Sequence, residues 1–339
     1  MTAAILALTM LPLPCGDVHH AIVLGPAVAA LAAQSHEHDV TGVAVSPDGK
    51  LVASCSKDDT IKIWDAATGK LLKTLTAHEQ DVYDVAFSPD GSKLGVGAFN
   101  HPHPDRTVAI WDPKTGQPLH MMQGHDSMVF LVVFSPDAKL LASCGWRPAV
   151  ILWNAETGEK VRELGAGEGA RCAAFSPDGK TLAVGQEESV LQLWNVETGE
   201  KIRQSEVHTE QRTEYLTRKY TVYGVAFTPD GSKLVTGGGD KKVIVWNAET
   251  GDKIREMKDN NSVNGLLMLP DGKTVIAVQH NLSFWNIETG QKVKECQEHG
   301  SRANDVDCSA DGKLIASGAD DRMAFVWDGT GKLLRKLEP

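Results

Sequence analysis

The sequence predicts an all-β chain closed into one seven-bladed β-propeller, and three recurring signals predict it. Seven tryptophans, Trp64, Trp111, Trp153, Trp194, Trp246, Trp285 and Trp327, follow one another at intervals of 47, 42, 41, 52, 39 and 42 residues. A Ser-Pro-Asp-Gly turn or a near relative precedes each of them, at 46–49, 88–91, 135–138, 176–179, 228–231, 269–272 and 309–312. After each tryptophan comes Asp or Asn and then Thr-Gly. A period of about 40 to 45 residues with four strands per unit is that of propeller blades.

Within a unit the elements follow in a fixed order. The Pro-Asp-Gly turn presets one torsion, bonds its own backbone through aspartate and places glycine where φ is positive, so it joins strands a and b as a hairpin. The run before each tryptophan, such as Thr60-Ile61-Lys62-Ile63, alternates as a half-buried strand c should. The Thr-Gly turn then leads to an outer strand d, such as 70–75. A lone four-stranded sheet leaves both faces uncovered, and stacking seven around an axis covers them while keeping the open edges short. The last unit supplies its own strand d at 332–337, so the ring needs nothing from before residue 36.

Composition fits this fold and narrows the function. The 339 residues include 32 glycines and 15 prolines, a turn-rich globular composition, and one closed all-β domain can be that long. The net charge of -10 arises from 34 basic and 44 acidic residues scattered along the chain, which argues against nucleic acid and anionic membrane as partners. The six cysteines form no CxxC pair and no metal-like spacing with histidine, so they read as thiols of a β core. No stretch outside the N-terminus approaches the roughly 20 apolar residues that span a bilayer.

Residues 1–33 stand apart from the propeller at 34–339. They are almost uncharged, with an apolar stretch at 21–33 in which Ala30-Leu31-Ala32 fits a small-x-small cleavage site. This is the pattern of a secretory signal and leads to the expectation of an extracytoplasmic or secreted mature chain. Against it, the segment lacks Lys and Arg and contains Pro12, Pro14 and Pro26, which leaves a cytoplasmic chain as the alternative.

The Gly-His, Ser-Pro-Asp-Gly, Ser-x-Asp and Trp-Asp signals at this spacing resemble the WD40 repeat family, over His36 to Lys336. The resemblance implies a tetrad in each blade: a His before strand a, a Ser or Thr on strand b, an Asp in the b-to-c turn and the Trp of strand c. Carried over, blade 1 has His36, Ser54, Asp58 and Trp64, and blade 7 has His299, Ser317, Asp321 and Trp327. Blade 2 has His78, Asp105 and Trp111 with Val96 in place of the hydroxyl, and blade 3 has His125, Ser143 and Trp153 with Arg147 in place of the Asp. Blade 5 keeps Thr236, Asp240 and Trp246 but shows Arg218 near the His position. His, Ser and Asp are also the residue types of a hydrolase triad, but a catalytic triad is built once and this set recurs at a fixed phase, which marks it as structural.

Departures from the period point to the functional face. An insertion at 99–104 lengthens the b-to-c turn of blade 2, and 205–220 lengthens the connection into blade 5; with Trp146-Arg147-Pro148 they fall on the face called the top. His101 and His103 fall short of the three or four ligands zinc takes, so the first insertion reads as a solvated loop and no metal or other cofactor is expected. In the second, Glu206, Glu210 and Glu214 cancel Arg212, Arg218 and Lys219. By analogy with the family, Thr41, Tyr83, Phe130, Arg171, Tyr223, Asn264 and Asn304 surround the top mouth of the central channel. Tyr83, Phe130, Trp146, Arg171 and Tyr223 are of the types enriched in binding hot spots, or else they fill space between blades. The expected function is a non-enzymatic, monomeric scaffold that binds a protein or peptide through this face. The alternative is a propeller enzyme holding a cofactor or sugar in the channel, against which the channel-proximal positions show no cluster of carboxylates suited to calcium or acid-base work.

Overall fold

In the computed structural model, residues 36–76, 81–99, 108–167, 169–213 and 216–337 are described. They form seven four-stranded antiparallel sheets, each with its strands in chain order, and one two-stranded hairpin. The innermost strands a are Val40–Val45, Val82–Phe87, Val129–Phe134, Ala170–Phe175, Val222–Phe227, Gly265–Met268 and Ala303–Cys308. The hairpin pairs Thr209–Thr213 with Leu216–Lys219 and lies in the second insertion. Among the described residues there is no helix, and none long and apolar enough to cross a membrane. The signal-like segment 1–33, His78, the histidines of the first insertion and Asp105 lie outside the described residues.

The burial pattern follows from the stacking of sheets. Strand b is buried almost throughout, as in Leu51–Ser56, because both its faces meet neighbouring blades. Strand d, on the rim, exposes alternate side chains. At every c–d pairing the ladder slips beside the tryptophan, and the extra rim residue is Leu72, Leu119, Val161, Ile202, Ile254, Val293 or Leu334. The bulge turns each of these aliphatics outward, which makes them exposed.

The a-to-b turns behave as their chemistry demands. Ser46 Oγ donates to Asp48 and accepts the Leu51 N–H, while the Gly49 N–H donates to the Ser46 carbonyl with φ at 68°. The hydroxyl of Ser46, with Lys50, lowers the Asp48 carboxyl to about 2, and Ser88 does the same to Asp90. Blade 3 has Ala138 at the glycine position and still adopts φ of 59°.

Neighbouring blades are tied at the rim. Arg162 donates to the Glu197 carbonyl at 2.9 Å, Arg255 to Thr289 at 3.3 Å and Lys294 to Gly331 at 2.6 Å, each reaching the Thr-Gly turn of the next blade. Blade 7 draws its four strands from 303–337, so among the described residues no exchanged strand closes the ring. Val40, Val43 and Val45 of blade 1 share a buried cluster with Ala316, Ala324, Val326 and Leu337 of blade 7.

Candidate functional site

The tetrads are buried hydrogen-bond chains. In blade 1, Trp64 Nε1 donates to Ser54 Oγ at 2.9 Å, His36 Nε2 lies 2.8 Å from the same oxygen, and His36 Nδ1 lies 2.8 Å from Asp58. Burial pushes the Asp58 carboxyl up, but bonds from His36 and Thr60 outweigh it and hold the group well below the usual range. Blade 7 repeats the chain at 2.8, 2.7 and 2.9 Å through Trp327, Ser317, His299 and Asp321. Each serine is saturated by two ring nitrogens and faces core, so it has no path to a substrate.

Blade 5 corrects the sequence-based assignment. His208, not Arg218, occupies the histidine place: its Nε2 lies 2.9 Å from Thr236 Oγ1 and its Nδ1 2.7 Å from Asp240, while Trp246 Nε1 donates to Thr236 at 2.9 Å. Arg218 is exposed on the hairpin, its guanidinium 4.7 Å from the Tyr220 ring centre. His208 is fully buried, so His208→Ala is expected to cost ~2 kcal/mol by leaving Asp240 and Thr236 without their partner. Arg218→Ala should change stability by less than about 0.5 kcal/mol. Urea denaturation of the two variants checks this, and equal effects would refute the assignment.

Blades 3, 4 and 6 keep part of the device by other means. In blade 3, Ser143 accepts from Trp153 Nε1 at 2.8 Å and sits 2.7 Å from His125, and burial pushes the His125 imidazole down to about 4. Trp194 Nε1 donates instead to Gln192 at 3.1 Å, and Trp285 Nε1 to Asp259 at 3.0 Å. Sequence comparison with the tetrad pattern did not reach these substitutes because they sit on other elements.

At the top mouth of the channel a cavity of about 170 Å³ is bordered by Thr41, Tyr83, Phe130, Arg171, Tyr223, Asn264 and Asn304. Tyr83 and Phe130 meet edge to face with centres 6.2 Å apart, and Phe130 meets Trp146 at 6.5 Å. The Arg171 guanidinium lies 4.0 Å from the Phe130 centre and 5.5 Å from Trp146, and Nη2 donates to Glu187 at 2.7 Å. Four of the five predicted residues thus form one contiguous, half-buried run from blade 2 to blade 4. Tyr223 borders the same cavity from blade 5, and 36% of it is exposed.

Single carboxylates do line the channel, each tied to backbone rather than gathered for calcium or acid-base work. Asp84 and Asp305 border the mouth cavity, and Asp307 follows Asp305 along the same inner strand. Strand a is an open edge whose N–H groups need acceptors. Asp305 accepts from the Val43 N–H at 2.9 Å, Asp307 from Val45 at 2.8 Å and Asp84 from Val132 at 2.7 Å, each across a blade boundary. Burial, offset in part by these bonds, raises Asp305 to about 7 and Asp307 to about 6, and burial with the charge of Asp305 raises Asp84 well above the carboxylate range. Asn304 adds a fourth closure, donating to the Val40 carbonyl at 2.9 Å. Among the described residues no three His, Cys, Asp or Glu side chains are grouped to hold a metal ion.

Comparison with known proteins agrees with this architecture. Residues 40–216, just over half the chain, match the family model of the IFT122 first beta-propeller, and residues 211–247 and 290–328 match the WD domain, G-beta repeat. Similar proteins include Protein HIR1 of Yarrowia lipolytica, 30% identical over 33% of this chain and 9% of that protein. Others are Protein HIRA of Dictyostelium discoideum, 28% identical over 32% of this chain and 7% of its own length, and the cilia- and flagella-associated protein 52 of Chlamydomonas reinhardtii, 27% identical over 36% and 21%. The matched stretches therefore span at most about a fifth of these relatives' length. With the repeat, the blades and the tetrads in place, the chain belongs to the WD40-repeat β-propellers that these two family models describe.

Proposed function

We propose that this propeller is a non-catalytic scaffold that grips a protein or peptide partner at its top face, through Tyr83, Phe130, Trp146, Arg171 and Tyr223. The observation that carries this reading is the half-buried run of aromatic rings and one guanidinium at the channel mouth, of which Tyr83, Phe130 and Arg171 border the cavity and Trp146 packs behind Phe130. Aromatic and arginine side chains offer large rigid contact area at small entropy loss, which is why they dominate binding hot spots. A role confined to packing would place these rings deep between blades, as it does Trp64, whereas Tyr223 and the edges of its neighbours reach solvent. Membership of a fold family used as an interaction scaffold, with His and Ser locked inside the tetrads, supports binding over catalysis.

Replacing Tyr83, Trp146 and Arg171 together with alanine is expected to reduce capture of the native partner by at least about tenfold, since each hot-spot truncation costs more than about 1 kcal/mol. A rim variant, Leu72→Ser with Val293→Ser, should capture normally. Affinity purification from the native cell with thermal unfolding of each variant checks the expectation, and retained capture by the folded triple variant would sink the site.

A further inference from the structure

Beside the mouth, between blades 5, 6 and 7, lies a second cavity of about 570 Å³. Arg218, Lys219, His280 and Arg302 border it, and among the described residues no carboxylate does. This is unexpected for a chain of net charge -10, and it arises because three sequence-distant elements converge. Glu206 pairs with Lys219 at 2.7 Å and offsets that one cation, and Glu210 accepts from the Tyr220 hydroxyl at 2.8 Å, which leaves Arg218, His280 and Arg302 as the cleft's other basic groups. Arg218 and Arg302 have no carboxylate partner among the described residues, and both are exposed.

The geometry points to a binding site for an anionic segment of a partner protein, its carboxylates or phosphates seated between Arg218 and Arg302. Guanidinium groups present planar forks of donors that match carboxylate and phosphate oxygens. Asn261 and Thr221 supply neutral polar groups along the same wall. Tyr223 and Asn264 border both this cleft and the channel mouth, so the two cavities adjoin. One extended segment, at about 3.3 Å per residue, can place an apolar anchor at the mouth and an acidic run in the cleft. Duplex or single-stranded nucleic acid fits less well, because the cleft offers one short basic stretch rather than a track.

This inference rests on the top-face reading and can fail separately from it. Fluorescein-labelled octaglutamate, octaglutamine, a peptide alternating glycine and phosphoserine, and oligo-dT of eight nucleotides are titrated against the full chain at low and physiological salt, with anisotropy as readout. Octaglutamate is expected to bind at least about tenfold more tightly than octaglutamine, more weakly as salt rises, and to lose at least about tenfold in the Arg218→Ala, Arg302→Ala variant. Tighter binding of the phosphoserine peptide would assign the site to phosphate, and tighter binding of octaglutamate to carboxylate. Equal binding of the two octamers, unchanged binding by the arginine variant, no binding of either acidic peptide, or preference for oligo-dT would overturn the proposal. The triple mouth variant should bind octaglutamate normally. If it loses native capture while the arginine variant keeps it, the mouth stands and the anionic site falls.

Discussion

Trp327→Ala is expected to lower the unfolding free energy by about 4 kcal/mol, within the range for truncating a buried tryptophan. Trp327 is 1% exposed and packs in a cluster with Phe284, Ile315 and Phe325 across the boundary between blades 6 and 7. Its indole closes a chain in which every polar atom depends on the next: Nε1 to Ser317, Ser317 beside His299, and His299 beside Asp321. His299 also stacks on Phe325 with ring centres 4.1 Å apart and planes 4° from parallel. The alanine variant therefore loses volume, leaves a cavity and frees the imidazole to shift. Trp327→Phe keeps most of the volume but drops the N–H, and should cost about 1 to 2 kcal/mol. Urea unfolding followed by circular dichroism measures both. A loss below about 1.5 kcal/mol for the alanine variant would mean that blade 7 unfolds locally before the ring and that this tetrad does not support global stability.

The fold was legible because each repeated signal answers a physical need that recurs in every blade. The Pro-Asp-Gly turn must reach positive φ, and the tryptophan must find an acceptor while it fills the space between sheets. Where the spacing is regular the tetrads were legible too: His36, His125 and His299 each stand four residues before the first residue of strand a. His208 was not, because the hairpin at 209–219 separates it from Val222, and counting back from the strand lands on Arg218. At the channel the mouth residues were found by their position on strand a, yet the aspartates beside them were passed over. Asp84 in Val82–Phe87, and Asp305 and Asp307 in Ala303–Cys308, put acidic residues on inner strands, and that interruption was the available signal. The basic cleft had none, since Arg218, His280 and Arg302 meet only when blades 5, 6 and 7 are assembled.

Replacing Asp305 and Asp307 together with asparagine is expected to stabilise the propeller by about 3 kcal/mol at pH 8 and by little at pH 4. Burial raises the two carboxyls to about 7 and about 6 in the folded chain, above the ordinary 3.8. Near pH 3 both groups are protonated in both states, and their burial is least costly. As pH rises from about 4 to 7 the unfolded chain releases its protons while the folded ring retains them, so stability falls, and above pH 7 the loss is complete. One pKa unit is worth about 1.4 kcal/mol, which caps the pair at roughly 7; both groups keep partial exposure, and screening brings the expected gain to about 3. Asparagine keeps an oxygen for the Val43 and Val45 N–H groups, so ring closure survives the exchange. His125, lowered to about 4, works in the opposite direction, because stability rises with pH between 4 and 6.5, but it is present in both proteins and cancels in their difference. Thermal unfolding of wild type and double variant from pH 4 to 8 should give curves that diverge above pH 5. Parallel curves would mean that the carboxylates ionise without penalty, and that closure between blades 7 and 1 rests on the valine cluster rather than on proton-bearing caps.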